Sequence, residues 1–73
     1  METIEAAKKA LEKIIIGLPV VTGIGIVLER EQRVIQVTVS VESGKKQVER
    51  HLQDNSFQGH PVRIIIGGIA QPH

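Results

Sequence analysis

The sequence predicts an α+β domain in which two helices cover one face of a three-stranded, mainly antiparallel sheet. Apolar residues recur every three or four positions near the amino terminus, and this period changes to two in the middle of the chain. β-Branched side chains dominate, with eleven Ile and nine Val in 73 residues, while Phe57 is the one aromatic residue. These observations predict a two-layer sandwich with the element order α-β-β-α-β.

The first helix begins after Thr3, whose hydroxyl can cap it. Its apolar positions are Ile4, Ala7, Leu11 and Ile14 or Ile15. Glu5 and Lys9 stand four residues apart and predict an ion pair on the exposed side of the helix. Gly17 is expected to close the helix in the left-handed conformation, and Pro19 prevents its continuation.

Two strands follow, joined by the short charged turn at residues 29–32, which predicts an antiparallel hairpin. In the first strand, alternation puts Thr22, Ile24, Ile26 and Leu28 on one face and Val21, Gly23, Gly25 and Val27 on the other. In the second strand, the residues expected to point inward are Ile35, Val37, Val39 and Val41, and those expected to point outward are Val34, Gln36, Thr38 and Ser40.

The second half of the chain predicts one short helix, a loop and a last strand. Ser43 offers a cap for a helix that runs through about Gln53. Residues 54–59 read as a loop in which Phe57 plugs one end of the core. The last strand covers residues 61–66, with Val62, Ile64 and Ile66 on one face and Arg63 and Ile65 on the other. We therefore expect a single domain at residues 1–68 and a flexible tail at residues 69–73.

Composition narrows the possible functions. Nine Lys and Arg against eight Asp and Glu leave a formal charge of +1, which is not the footprint of a nucleic-acid binder. The start of the chain lacks the features of a signal peptide, and the uncharged run at residues 14–28 is too short for a membrane span. Cysteine is absent, so disulfides and thiolate sites are excluded. Because small secreted domains usually need disulfides, we expect a cytoplasmic protein without a membrane span.

The sequence also offers no convincing chemistry. His51 and Asp54 could supply two metal ligands, but a site needs three or four. The segment 43–46, SGKK, lacks the earlier glycine and the final Ser or Thr of a phosphate-binding loop, and the glycines at 23 and 25 lack the third glycine of a dinucleotide site. Nothing places Ser43 or Ser56 beside a histidine and an acid. We expect no catalytic residue, no metal, no cofactor and no enzymatic activity.

The face of the sheet away from the helices is the strongest functional signal. A sheet with one wet face is normally polar on that face, yet the first and third strands present an apolar, glycine-containing surface. Its predicted members are Val21, Gly23, Gly25, Val27 and Ile65. Such a patch is typical of a protein interface, and a domain this small gains stability from oligomerisation. The surface predicts contact with a second copy or with another protein.

Two other accounts of this surface stay open. Scattered exposed Val and Ile side chains need no special explanation. Alternatively, an outer strand could pair edge to edge with another chain. The position of the glycine-rich strand decides between contact through the sheet face and pairing at the edge, because a central position makes the patch contiguous and an edge position favours strand pairing.

Three stretches carry a resemblance to a known family: LPVVTGIGIVLE, VIQVTVSV and GHPVRIIIGG. Together, over about residues 18–70, they resemble the small amino-terminal α-β-β-α-β domain that precedes trypsin-like serine protease domains in some bacterial proteins. That domain has a glycine-rich first strand, a valine-rich second strand and a final Gly-x-Pro-Val strand. The element order is also similar to ring-building modules of secretion machines and to alkaline-shock-type proteins. These resemblances imply interaction without chemistry, and no catalytic residue carries over.

Two alternative functions follow. The resemblance suggests a protease-associated regulator or prodomain-like inhibitor whose tail lies in a protease cleft, beginning at Gly67, Gly68 and Ile69. A weak nucleic-acid binder is the other alternative, if the helices pack side by side and form one basic stripe. The cations concerned are Lys8, Lys9, Lys13, Lys45, Lys46 and Arg50.

Overall fold

The computed structural model describes residues 3–67 and has two helices and a four-stranded mixed sheet. The elements are α1 (Ile4–Ile15), β1 (Val21–Glu29), β2 (Gln32–Val39), α2 (Glu42–Glu49), β3 (Ser56–Phe57) and β4 (His60–Ile66). The α+β class is confirmed. The sheet differs from the three-stranded prediction because β3, which the sequence analysis placed in a loop, adds a short fourth strand.

The order of strands across the sheet is β1-β2-β4-β3. β1 pairs antiparallel with β2, and β3 pairs antiparallel with β4. β4 pairs parallel with β2, which requires a crossover, and α2 lies in that connection. The valine-rich strand β2 is therefore central, and the glycine-rich strand β1 lies at an edge.

Both helices pack on the same face of the sheet, which we call the helix-covered face. Its buried residues are Ile4, Ala7, Leu11 and Ile15 of α1, Val48 of α2, Ile35, Val37 and Val39 of β2, and Val62 of β4. α1 lies over β1 and β2, and α2 lies over β2 and β4. The inward prediction is thus confirmed for three residues of β2, but Val41 is 47% exposed because it precedes α2 instead of extending the strand.

α1 begins as the sequence predicts and ends differently. The Thr3 hydroxyl accepts a hydrogen bond from the Ala6 N–H at 3.1 Å. Gly17 does not adopt the left-handed conformation, and Gly59 is the one glycine among residues 3–67 with a positive φ. The expected partner of Glu5 was also wrong, because Glu5 accepts from the Arg33 guanidinium at 2.6 Å.

α2 begins at Glu42 without a side-chain cap and ends at Glu49, so neither the Ser43 cap nor the extension to Gln53 is confirmed. The buried glycine of the SGKK segment has a packing role. A Cβ atom on Gly44 would lie 2.8 Å from the Val20 side chain and 3.1 Å from Val39. Glycine at this position therefore lets α2 approach the sheet closely.

Two tight turns surround β3. Asp54 and Asn55 have φ values of 53° and 59°, and the residues on either side of them exchange backbone hydrogen bonds of 2.9 and 3.0 Å. Gln58 and Gly59, with φ values of 53° and 83°, form the next turn. Positive φ at both central residues is the geometry of a two-residue hairpin turn. Between the turns, the half-buried Phe57 packs against the core, where the sequence analysis expected it.

Candidate interaction site at the edge strand

A β-bulge at the start of β1 removes Val21 from the predicted surface. Val21 lies opposite Val39 while Gly23 lies opposite Thr38, so one strand advances two residues where the other advances one. An extra residue of this kind reverses the alternation of side chains on the two sides of the bulge. Val21 therefore packs against the core on the helix-covered face. The prediction that it shares a face with Gly23 is wrong.

The other four predicted residues lie on the face away from the helices, which we call the outer face. Gly23 and Ile65 flank Thr38, and Val27 lies opposite Val34. Gln36 occupies the position on β2 midway between Val27 and Ile65, so these two side chains do not form one apolar patch. A role for these four residues in binding stays a prediction.

An ion pair crosses the outer face near the β1–β2 turn. The guanidinium of Arg63 on β4 lies 2.8 Å from the carboxylate of Glu29 on β1. The strand register puts Val34 midway between these two residues. This position explains why Val34, which points outward as predicted, is only 6% exposed. The ion pair thus covers apolar surface that an interface through the outer face would need.

The backbone of β1 presents an open edge instead. Gly67 donates its N–H to the Val39 carbonyl at 3.1 Å, so odd-numbered residues of β2 bond to β4 and even-numbered ones bond to β1. Hydrogen-bonded and non-hydrogen-bonded pairs alternate in an antiparallel ladder. The backbone groups of Ile24, Ile26 and Leu28 therefore point away from β2. We call these N–H and C=O groups the β1 edge, and no described strand pairs with them.

The β1 edge lacks most features that normally protect an edge strand. Proteins usually blunt exposed edges with charged side chains, prolines, bulges or very short strands. β1 is nine residues long, and from Val21 to Leu28 it contains neither a charge nor a proline. The bulge hinders strand pairing only at the first two residues of β1, so the regular stretch 23–29 can still pair with another strand. Leu28 is 71% exposed on this stretch.

α1 forms one wall beside the β1 edge. A shallow groove at the middle of the strand is lined by Glu5, Lys8 and Lys9 of α1 together with Gly25 and Ile26. A hydrogen bond from its own backbone N–H and then the Arg33 guanidinium lower the pKa of Glu5. The wall therefore carries an anion and two cations beside an apolar floor.

A second groove lies at the start of β1, where the strand passes the carboxyl-terminal end of α1. It is lined by Glu12, Ile15 and Ile16 of α1 and by residues 21–24. Ile16 is 64% exposed at its rim. The two grooves run along the same side of the molecule, so an extended segment added to the β1 edge would also contact α1.

The remaining candidates gain little from the structure. Within residues 3–67, no three His, Asp or Glu side chains are grouped so that they could hold a metal ion. The cations of the proposed basic stripe are divided between α1 over β1 and β2 and α2 over β2 and β4, and Lys8 bonds Glu12 at 3.3 Å. Of the predicted tail, Gly67 is hydrogen-bonded to Val39 of β2, whereas Gly68 and Ile69 lie outside the described residues.

The sequence predicted side chains of β1 as the contact, whereas the candidate site in the structure consists of backbone groups of the same strand. The signal that could have located it was the absence of charge and proline over eight residues. Comparisons with protein-family models, curated proteins and solved structures find no match for this chain. In the part of the chain that is described, no helix is long and apolar enough to cross a membrane.

Proposed function

We propose that this protein is a non-enzymatic self-assembly or protein-interaction module, and that the β1 edge makes the contact by accepting an extended strand. The observation that carries the proposal is the position of a long, uncharged strand at the edge of the sheet. Backbone hydrogen bonds to an added strand supply affinity, and the grooves beside α1 supply side-chain contacts.

The outer face is the weaker choice for the contact. Glu29 and Arg63 bridge it, Gln36 divides its apolar residues, and Val34 is already covered. By contrast, the exposed side chains of Ile16, at the end of α1, and Leu28 on β1 have no such cover. The protease-associated alternative rests on a tail outside the described residues, and no observation favours the nucleic-acid alternative.

Sedimentation velocity over a wide concentration range tests the proposal with three variants. Leu28→Pro removes an outward N–H from the β1 edge without removing core packing, because Leu28 is 71% exposed. Leu28→Ala keeps that N–H and shortens the side chain. Ile65→Lys adds a charge to the outer face. We expect wild type to associate reversibly, Leu28→Pro to weaken association about tenfold or more, or about 1.4 kcal/mol, and Ile65→Lys to leave it unchanged.

A synthetic peptide of residues 21–29 with added lysines provides a second probe, since it can pair with the β1 edge as an extended strand. Chemical-shift changes in the amides of β1 would support the proposal even if wild type is monomeric. Absence of both self-association and peptide binding contradicts the proposal. Loss of association in Ile65→Lys but not in Leu28→Pro would move the contact to the outer face.

A further inference from the structure

We infer that the segment that occupies the β1 edge is β1 of a second copy, paired antiparallel about a two-fold axis at Ile26; this inference rests on the proposed function. The regular part of the strand, residues 23–29, begins after the bulge and ends at the turn, and Ile26 is its central residue. A two-fold axis there uses the whole stretch. The pairs formed are Ile26 with Ile26, Ile24 with Leu28, Gly25 with Val27, and Gly23 with Glu29.

The backbone groups match in this register. Ile24, Ile26 and Leu28 point their N–H and C=O groups outward, and the axis at Ile26 places outward groups of one copy opposite outward groups of the other. Each such pair exchanges two hydrogen bonds, which gives about six across the interface. An axis at Gly25 would pair Leu28 with Thr22 of the bulge, where the ladder is irregular. The regular part of the pairing would then be shorter than with the axis at Ile26.

The side chains match on both faces. On the helix-covered face, the exposed Leu28 meets Ile24 of the other copy, so two apolar side chains cover each other. On the outer face, Val27 meets Gly25, and a Cβ atom built on Gly25 has no heavy atom within 4 Å. The glycine thus leaves space for the valine. Cross-strand apolar pairs of this kind stabilise a sheet.

The position of α1 permits this arrangement. α1 lies over β1 and β2, and neighbouring strands are about 4.8 Å apart. Joining two β1 strands therefore sets the two α1 axes about 10 Å apart, which is an ordinary distance for packed helices. The helices then contribute to an interface that must bury about 800 Å² per copy, out of 5110 Å² exposed by the chain.

The charges on α1 are self-complementary about the axis. Glu5, Lys8 and Lys9 line the groove at Gly25 and Ile26, so they lie beside the two-fold axis. Because the two helices run antiparallel, Glu5 of one copy approaches Lys9 of the other, and the contact occurs twice. A mixed wall of this kind fits a second copy better than it fits a strongly acidic or basic partner.

Amide hydrogen exchange measured by NMR at low and high protein concentration tests the inference. The amides of Ile24, Ile26 and Leu28 should exchange rapidly in the monomer and at least tenfold more slowly when the chains associate. Those of Gly25 and Val27 already bond to β2 and serve as internal controls with little change. In a mixture of differently labelled chains, we expect an intermolecular NOE between the Hα atoms of Gly25 and Val27, a pair with Cα atoms about 4.5 Å apart.

A charge variant and its control provide an independent measurement. Lys9→Glu places a carboxylate near Glu5 of the other copy and should weaken association several-fold at low salt, whereas Lys45→Glu on α2 makes the same charge change away from the axis and should not.

The possible results separate the inference from the proposed function. Protection of the three edge amides together with the Gly25–Val27 NOE supports the inference. Protection without that NOE overturns the axis at Ile26 and leaves edge pairing in place. Binding of the 21–29 peptide by a chain that never self-associates overturns the second copy as partner and leaves the proposed function in place. Association without protection of the edge amides contradicts both.

Discussion

The two edges of the sheet differ in how well they are protected. At one side, β1 is open along its regular stretch, and α1 stands beside it as a wall. At the other side, β3 covers the first part of β4, and Val62 donates its N–H to the Asn55 carbonyl at 2.8 Å. Two tight turns hold β3 in place. The same small domain thus closes much of one edge and leaves the other accessible.

The uncovered part of β4 is also a poor template. The N–H of Val62 points toward β3 and that of Gly67 points toward β2, so alternation leaves Ile64 and Ile66 with outward groups. The uncovered stretch of β4 is therefore only three residues long, residues 64–66. A very short edge is one of the usual means of avoiding edge-to-edge pairing. The contrast is that the fold covers or shortens the free side of β4 and leaves β1 open over a long uncharged stretch, which is why the proposed contact is placed at β1.

The largest expected effect on stability comes from damaging the protected edge. Phe57→Ala removes a half-buried ring that packs against the core from β3. Complete truncation of a buried Phe costs about 3–5 kcal/mol, so we expect a loss of about 2 kcal/mol in the free energy of unfolding. The Val62 amide should also exchange faster, because its acceptor lies next to β3. Urea unfolding and hydrogen exchange measure the two effects.

The matched change at the open edge should behave differently. Leu28→Ala truncates a side chain that is 71% exposed, so the monomer should lose less than about 0.5 kcal/mol. The measurement is made at a concentration where the chains do not associate. Equal losses at Phe57 and Leu28 would mean that β3 is not a structural cover for the sheet and would remove the contrast.

Smaller changes in the free energy of unfolding are expected from substitutions in the two hairpin turns. In the β1–β2 turn, Arg30 and Glu31 hold φ values of 50° and 66°, whereas the β3–β4 turn has Gly59 at 83°. Glycine adopts positive φ without the steric cost that other residues meet. We expect Glu31→Gly to stabilise the fold by about 0.5 kcal/mol and Gly59→Ala to destabilise it by about 1 kcal/mol.

Glu31→Gln controls for the lost charge and should change the urea midpoint very little, because it gains no freedom at positive φ. Destabilisation by Glu31→Gly would show that the Arg30–Glu31 turn is held by interactions of its side chains.

Much of this fold follows from the sequence, and the exceptions have physical reasons. The periods of apolar residues locate α1, β1, β2 and β4, because a buried face imposes its own spacing. β3 could not be predicted, because two residues are too few to show a period and the sequence around Gln58 does not indicate its positive φ. The bulge could not be predicted either, because one extra residue does not change the composition of the strand, although it moves Val21 to the other face. The strand order depends on which surfaces the helices cover, which is a tertiary property.

The candidate site was predictable only in part for the same reason. Gly23, Gly25 and Val27 lie on the strand that carries the candidate site, but they belong to the outer face, which the Glu29–Arg63 ion pair crosses. Which backbone groups are free depends on the partner of each strand, and the alternation in β1 becomes known only once β2 is known to be central.

The smallest expected effect concerns the ion pair that fixes α1 beside the open edge. Glu5 has a pKa below its usual value, first because its own backbone N–H donates to it and second because Arg33 does. A carboxyl group whose pKa is lowered on folding stabilises the folded state above the unfolded pKa, and this contribution is lost as the pH falls through the folded pKa. Glu5→Gln should therefore lower the urea midpoint slightly at neutral pH.

Acidification should remove the difference in urea midpoint between wild type and Glu5→Gln, because wild-type Glu5 then also becomes neutral. Arg33→Gln should remove only part of the pH dependence, since the backbone N–H remains in place. A difference that persists at acid pH would contradict this assignment. If the difference in urea midpoint between wild type and Glu5→Gln increases when the chains associate, Glu5 also contacts the second copy, as expected for a carboxylate beside the axis at Ile26. Phe57→Ala, at the opposite edge of the sheet, is the control, because its effect should not depend on protein concentration.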